Sequence, residues 1–280
     1  MMNKILVTTD FSTASKAGIR FALQLAKQTK GKLIAFHVME LPKPTRWSEK
    51  KYDAYAETEL TKAHIRLTRF IGSIGQQSGF NTKGVECVVT EGWKIDQSVI
   101  DYATHIRANF ICMSTRGAGI LRKIVGTNAS AILTTSPVPV IVVPKTYRVS
   151  PISHILYSSD FNNLQSEMKK VVAFAKPLKA KVSVYHYDFL LPLNEAKMKL
   201  EKMAAKHSAQ NVNFHFKKLH IENSLAHHLQ NDIRKSRPSL VALFTKQNRG
   251  WYDRLFLSSK SAEISFDTKT PLLVFRKREH

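Results

Sequence analysis

The chain has 280 residues, of which 43% are hydrophobic and 23% are charged, with 11 Gly and 10 Pro. This composition is typical of a globular protein with one large or two ordinary domains, and it excludes a mainly disordered or collagen-like chain. Lys and Arg number 43 against 21 Asp and Glu, which gives a formal net charge of +22. Residues 1–150 carry 21 basic and 10 acidic side chains, and residues 151–280 carry 22 and 11, so both halves are equally basic. Such a field attracts nucleic acid, anionic lipid and phosphorylated small molecules, and composition does not choose among them.

The sequence predicts neither a membrane span nor a secretory signal. The apolar run Val138–Pro144 falls far short of the roughly 18 residues that a span needs. The run Ile5–Val7 ends at once in Thr8 and leaves no hydrophobic region for a signal peptide. Because there are only two cysteines, Cys87 and Cys112, we expect a protein of the reducing cytoplasm. Both cysteines fall in predicted strands and are expected to be small buried side chains.

The first predicted elements form a β-α-β unit that occurs again later in the chain. A buried strand, Ile5–Thr8, is followed closely by Asp10 and Phe11. A helix with apolar residues from Gly18 to Leu25 comes next, and the strand Lys32–Val38 completes the unit. At an offset of 150 residues, Ile155–Ser158 ends in Asp160 and Phe161, and it is followed by a helix with apolar residues from Met168 to Ala175 and by the strand Lys181–Tyr187.

The later elements also follow one order in both halves. The first half continues with a long amphipathic helix Leu60–Ile74, a strand Val85–Val89, a turn Thr90–Gly92, a helix Ile95–Ile106, and the strands Phe110–Met113 and Val138–Val142. The second half continues with a shorter helix Leu200–Ala204, a helix Leu225–Ile233, and the strands Leu240–Leu243 and Thr270–Val274.

Both halves therefore follow the order β-α-β-α-β-α-β-α-β. Their strands are continuous apolar runs, which is typical of parallel sheets covered by helices on both faces. We predict an α/β protein of two doubly wound parallel-sheet domains in tandem, residues 1–146 and 153–280. The last strand of each domain should lie at a sheet edge, where exposed backbone groups invite pairing. The sequence leaves open whether the halves pair with each other, giving a monomer with an internal pseudo-dimer, or whether the chain forms a homodimer.

Residues that follow the first, second and fourth strands are the candidates for a ligand site, because ligands of doubly wound sheets bind beyond the carboxyl ends of the strands. Asp10 follows the first strand, and its carboxylate can accept hydrogen bonds from an adenine amino group or a sugar hydroxyl. Val38 ends the second strand. The segment Met113–Asn128 follows the fourth; its last three residues, from Gly126, open a helix whose free N–H groups suit a phosphate.

These residues resemble the universal stress proteins, specifically their tandem two-domain members, over nearly the whole chain. Nucleotide-binding members carry Gly-x2-Gly-x9-Gly-(Ser/Thr) after the fourth strand, an Asp after the first and an apolar residue after the second. The resemblance implies a Rossmann-like fold of the adenine nucleotide α-hydrolase type, binding of ATP or AMP with Mg²⁺ as an open addition, and a regulatory role in the stress response. It implies contacts with adenine, ribose and phosphates from Thr8, Thr9, Asp10, Val38, Met113, Ser114, Arg116, Gly117, Gly126, Thr127 and Asn128.

The sequence departs from this pattern in both halves. Ser114 stands at the first Gly of the motif, and eight residues instead of nine separate Gly117 from Gly126, so the phosphate path is expected to be narrower. In the second half Asp160 remains, but large side chains fill the segment Thr245–Tyr252, and Ser258-Ser259 replaces Gly126-Thr127. We expect this half to have lost its nucleotide site.

Several of these residues also have a purely structural interpretation. Asp10 can cap the following helix, and Gly126 can serve a tight turn. His37 and His186 recur at one strand position, which favours a shared structural niche. His215, His220, His227 and His228 match no zinc pattern, so no metal site is predicted.

Two functions remain as hypotheses from different classes. The first is a cytoplasmic, nucleotide-binding regulator with protein partners; the second is a nucleotide-independent scaffold whose basic surface binds nucleic acid or another polyanion. No nucleophile, base and orienting residue can be assembled at the strand ends, and no Walker motif occurs, so we do not predict an enzyme and leave open only a slow ATPase.

Overall fold

In the computed structural model, the chain is described for residues 4–115, 127–161, 163–189, 198, 211–220, 222–245 and 269–276. The first half contains β1 (Lys4–Thr8), α1 (Ser15–Thr29), β2 (Lys32–Met39), α2 (Glu49–Ser78), β3 (Glu86–Glu91), α3 (Ile95–His105), β4 (Phe110–Ser114), α4 (Thr127–Thr135) and β5 (Val140–Val143). The second half contains β6 (His154–Ser159), α5 (Leu164–Leu178), β7 (Lys181–Asp188), β8 (Val212–Lys218), α6 (Leu225–Ser236), β9 (Leu240–Thr245) and β10 (Leu272–Arg276).

All ten strands form one sheet in the order β3-β2-β1-β4-β5-β10-β9-β6-β7-β8. Each half has the same internal order, and its neighbouring strands are parallel. The two halves meet where β5 and β10 pair antiparallel, with Ile141 opposite Leu273. The predicted α/β fold class is confirmed, since each half has a doubly wound parallel arrangement, and the last strands pair with each other and join the two halves into one sheet.

The helices cover both faces of this sheet because the strands are apolar on both faces. Ile5, Leu6 and Val7 are all fully buried, and Leu6 belongs to a different core cluster from its two neighbours. Side chains of α1, α2 and α5 pack on one face, and those of α3, α4 and α6 pack on the other. The continuous apolar runs in the sequence result from this double coverage.

The structure corrects two details of the sequence analysis. Thr90 and Glu91 belong to β3 and pair with Val38 and Met39, so the predicted turn begins only at Gly92. Cys112 is buried as expected, but Cys87 is only half-buried, because β3 is an edge strand of the sheet. The predicted helix Leu200–Ala204 and the segment 246–259 lie outside the described residues.

The two β-α turns that follow β1 and β6 have the same unusual structure. Phe11 and Phe161 both take a left-handed backbone conformation, with φ of 60° and 63°. The ring of Phe11 packs on His37 at 4.4 Å between centroids, and Phe161 stacks on His186 at 3.8 Å. Each histidine donates from Nδ1 to a carbonyl oxygen before the turn, that of Thr9 or of Ser159. The prediction of a shared structural niche for the two histidines is confirmed.

No helix among the described residues combines the length and hydropathy that a membrane span requires. Within the same ranges, no three His, Cys, Asp or Glu side chains are grouped so that they could hold a metal ion.

Candidate functional site

A cavity of about 250 Å³ lies at the carboxyl ends of β1, β2 and β4 in the first half. Parallel strands end at one edge of the sheet, and this brings together residues that are far apart in the sequence. Seven of the predicted site residues line the cavity: Thr8, Thr9, Asp10, Val38, Met113, Ser114 and Asn128. Arg116, Gly117, Gly126 and the side chain of Thr127 lie outside the described residues, although Thr127 begins α4.

The cavity has an apolar wall and a polar wall. Val38 of β2, Val99 of α3 and Ile132 of α4 contribute to the apolar wall, which also contains Phe36, Ile95, Met113 and Val142. Hydroxyl, amide and carboxylate groups form the other wall, which contains Thr8, Thr9, Asp10, Ser12, Ser15, Ser114, Thr115 and Asn128. An apolar cleft with a few convergent polar groups is the usual form of a site for a small organic ligand.

Asp10 shapes the turn between β1 and α1. Its Oδ1 accepts a hydrogen bond from the backbone N–H of Ser12 at 3.0 Å. The N-cap of α1 is Ala14, whose side chain makes no capping hydrogen bond, and the Ser15 N–H at the start of the helix donates to Ser12 Oγ at 3.3 Å. The interpretation of Asp10 as the helix cap is therefore wrong, and its carboxylate lies on the polar wall of the cavity.

Ser114 connects the end of β4 to the beginning of α1. Its Oγ accepts a hydrogen bond from the Gly18 N–H at 2.6 Å and donates one to the Ser15 carbonyl oxygen at 3.3 Å. The hydroxyl is therefore directed at α1. Gly18 permits this approach, because a Cβ at that position would lie 2.8 Å from Ser114 Oγ. A serine at the first glycine of the motif thus leaves the 250 Å³ cavity in place.

Thr115 is a lining residue that the sequence analysis missed. It is only 4% exposed, and its Oγ1 has no hydrogen-bond partner among the described residues. A buried hydroxyl without a partner costs about 1–3 kcal/mol. Its only signal in the sequence is its position directly after a buried strand, and that position does not tell where the hydroxyl points. Thr115 itself lines the cavity, and its hydroxyl is buried beside the cavity wall.

His37 supports the polar wall from behind. Its Nδ1 donates to the Thr9 carbonyl oxygen at 2.8 Å, directly before Asp10. Burial lowers the pKa of His37 below its ordinary value, and the backbone hydrogen bond from Thr9 only partly opposes this. The neutral ring holds the β1 end in position without adding a positive charge to the site.

The corresponding strand ends of the second half are built differently. Tyr187 occupies the position in β7 that Val38 occupies in β2, and its hydroxyl donates to Asp232 Oδ2 at 2.9 Å. Burial raises the pKa of Tyr187, and the neighbouring Asp232 raises it further. In β6, Tyr157 replaces Val7 and donates to Glu167, which is 3% exposed. Bulky side chains that form hydrogen bonds within the second half therefore occupy positions where the first half has small side chains.

Comparison with known proteins identifies the family. Residues 1–144 match the Universal stress protein family. A universal stress protein from Archaeoglobus fulgidus DSM 4304 is similar over 99% of this chain and 99% of its own, with a TM-score of 0.72 and 16% identity. A protein of unknown function from Pseudomonas aeruginosa PAO1 is similar over 98% of this chain and 92% of its own, with a TM-score of 0.56 and 13% identity. At these identities the structures show a common fold alone. No curated protein matches the sequence.

Proposed function

Because the chain belongs to the universal stress protein family, we propose that its first half binds an adenine nucleotide, ATP or AMP, in the cavity at the carboxyl ends of β1, β2 and β4. The adenine ring would lie against the apolar wall near Val38. The ribose would face the polar wall, which contains Asp10 and Thr115. Phosphates would extend toward the amino end of α4, where Asn128 lines the cavity.

The observation that carries this proposal is the two-sided cavity at the strand ends. Its polar wall offers the side chains of Asp10, Thr115 and Asn128 to hydroxyl and phosphate groups. The opposite wall offers apolar side chains to a flat ring. A nucleoside, with an aromatic base and a polyhydroxyl sugar, has both matching parts.

We propose a regulatory role for nucleotide binding, in the cytoplasm and through protein partners. Asp10 lies in the β1-α1 turn, Thr115 follows β4 and Asn128 lies in the first turn of α4. A ligand that contacts all three joins segments that are otherwise separate, and it can change the surface they form. Mg²⁺ would accompany a triphosphate in this site.

We assign these roles to residues 1–146 and 153–280 as two domains. The first would hold the nucleotide, and the second would serve as its pseudo-symmetric partner without a nucleotide site. Tyr187 supports this division, because its ring stands at the position of Val38 and its hydroxyl is bound to Asp232.

Calorimetric titration with ATP and AMP tests the proposal, and tripolyphosphate measures simple attraction to a chain of net charge +22. Thr115→Val removes one hydroxyl of the polar wall while it keeps the shape of the side chain. We expect affinity for nucleotide to fall about tenfold, the loss of one hydrogen bond, while thermal stability stays the same or rises. Asp10→Asn should weaken binding by a similar or larger factor.

Thr58→Val is the matched control, since Thr58 is exposed on α2 and does not line the cavity. It should leave the affinity for nucleotide unchanged. Full affinity in both the Thr115→Val and Asp10→Asn proteins would remove this cavity as the binding site. Equal binding of tripolyphosphate and ATP would show that only charge is recognised.

A further inference from the structure

The surface formed by α1, α5 and the connection 144–153 is strongly basic, and we call it the basic face. On α1, Lys16, Arg20 and Lys27 are spaced by four and seven residues, so they form one stripe along the side that does not enter the core. On α5, Lys169 and Lys176 form an equivalent exposed stripe, and Lys179 follows at the C-cap. Lys145 and Arg148 are exposed in the connection between them.

Negative charge is missing from the same surface. The sequence contains no acidic residue between Asp10 and Glu40, and none between Asp101 and Asp160. The one acidic residue of α5, Glu167, is 3% exposed and accepts a hydrogen bond from Tyr157, so it does not offset the lysines at the surface. Lys32, Lys43, Lys62 and Lys217 form ion pairs, and these four residues lie outside the basic face.

The tertiary structure joins the two stripes into one surface. α1 and α5 belong to different halves of the chain, but they pack against each other on one side of the β5-β10 junction. Because that junction is antiparallel, the two helices run in opposite directions. The connection is fastened to α1 by Gln28, which accepts from the Ile152 N–H at 2.8 Å, and by Arg20, which donates to the Tyr147 carbonyl oxygen. At 1.5 Å per residue, the stripe from Lys16 to Lys27 is about 17 Å long and the stripe from Lys169 to Lys176 is about 11 Å long.

We propose that the basic face binds double-stranded nucleic acid through its phosphates, without reading sequence. Lys and Arg side chains that neutralise closely spaced phosphates displace the counterions condensed on the nucleic acid, and this release drives non-specific binding. The surface spans both halves, so neither half alone would present it. It is separate from the cavity at the strand ends, and the proposal does not depend on nucleotide binding.

The chemistry of the face favours a duplex over a membrane or a single strand. Amphipathic helices bind lipid by inserting apolar side chains, but the apolar sides of α1 and α5 are buried in the core. Single strands are held largely by stacking of bases on aromatic rings. The aromatic residues of these elements, Phe21, Tyr147 and Phe174, are buried. Within the described part of this surface, Val149 is the large exposed apolar side chain.

The test is fluorescence anisotropy of the full chain with a labelled DNA duplex of about 24 base pairs over a series of salt concentrations. A face variant carries Lys27→Glu, Lys145→Glu, Lys169→Glu and Lys176→Glu, with changes on all three elements. A control variant carries Lys50→Glu, Lys94→Glu, Lys218→Glu and Lys235→Glu, all exposed positions elsewhere. Both variants change the net charge equally, so a difference in their affinity for the duplex shows that the position of the charges matters.

We expect the face variant to bind the duplex at least about tenfold more weakly than the control variant at the same salt concentration. The magnitude of the slope of log affinity against log salt should also fall by up to about 3.6, which is 0.9 for each of four lost phosphate contacts. A third variant with Gln at the four face positions should lose affinity in the same direction, and it separates this effect from any misfolding caused by four new acids.

Two outcomes would overturn the proposal. Equal weakening in the face and control variants would mean that the net charge of the whole chain causes binding. Binding of vesicles rich in anionic lipid but not of the duplex would assign the face to a membrane surface.

Discussion

His37 stands at a position where the β1 end, the Phe11 turn and the core meet. Its Nδ1 holds the Thr9 carbonyl oxygen, and the ring of Phe11 lies against it. Burial lowers the pKa of this histidine from its ordinary value of 6.5, so the folded protein prefers the neutral ring. The unfolded chain binds a proton more readily than the folded protein does.

His37 should therefore make folding sensitive to acid. A histidine whose pKa is lower in the folded state contributes full stability above its unfolded pKa and loses that contribution as pH falls. We expect the free energy of unfolding to decline below about pH 6.5, and to decline less steeply in His37→Gln. Urea denaturation between pH 8 and pH 5 measures both slopes.

His105→Gln is the control for this experiment, because His105 is exposed at the end of α3. Its slope should stay close to that of the unmodified chain. Identical slopes in the unmodified and His37→Gln proteins would show that other histidines cause the acid sensitivity; His154, His215 and His228 also have pKa values lowered by burial.

The contact between α1 and β4 depends on Gly18 in the first turn of α1. A Cβ at Gly18 would lie 2.8 Å from Ser114 Oγ and 3.2 Å from the Ser114 backbone nitrogen. The first of these atoms already accepts the Gly18 N–H, so it has little freedom to move. The lower helix propensity of glycine is thus offset by the close packing of the two elements.

Gly18→Ala should destabilise the protein by about 1–3 kcal/mol, because overpacking outweighs the gain in helix propensity. Gly72→Ala is the matched control on α2, where a Cβ would meet nothing within 4 Å. It should stabilise the protein by about 0.5–1 kcal/mol. Chemical denaturation of both variants shows whether each change raises or lowers the free energy of unfolding. A stabilised Gly18→Ala protein would contradict the close approach of α1 to β4.

The two halves of the molecule are joined through β5 and β10. The carbonyl groups of Pro139 and Val143 accept hydrogen bonds from Ile111 of β4 and from Thr115 directly after it, so the alternate residues Val140 and Val142 direct their backbone groups at β10. All four residues of β5 are buried. A first half on its own would expose this edge together with its apolar side chains.

An isolated fragment of residues 1–149 should therefore associate into dimers through β5. In the fragment, Val142→Pro removes the Val142 N–H on the exposed side of β5. The Val143 carbonyl keeps its own hydrogen bond, so the variant should shift the fragment toward monomers. Light scattering coupled to gel filtration measures both masses. A monomeric unmodified fragment would show that the edge of β5 is protected in another way.

Local patterns in the sequence already determined much of this structure. Apolar runs and helical spacing depend only on nearby residues, so the strands, the first helices and the repeat of 150 residues between β1 and β6 could be recognised directly. The rule that ligands bind at strand ends selected Asp10, Val38, Met113 and Asn128, and these four do line one cavity. The residues 116–126, on which the prediction of a phosphate site depends, lie outside the described structure.

Other features were decided only by the tertiary structure. The direction of the Ser114 hydroxyl depends on Gly18, 96 residues away. Among the described residues, no side chain or backbone group reaches the Thr115 hydroxyl, and the sequence does not reveal this. The basic face arises because antiparallel pairing of β5 and β10 brings α1 beside α5, although the lysines were evenly distributed along the chain. Sequence patterns reflect local preferences, whereas side chains that are distant in the chain become neighbours only when the strands assemble into the sheet.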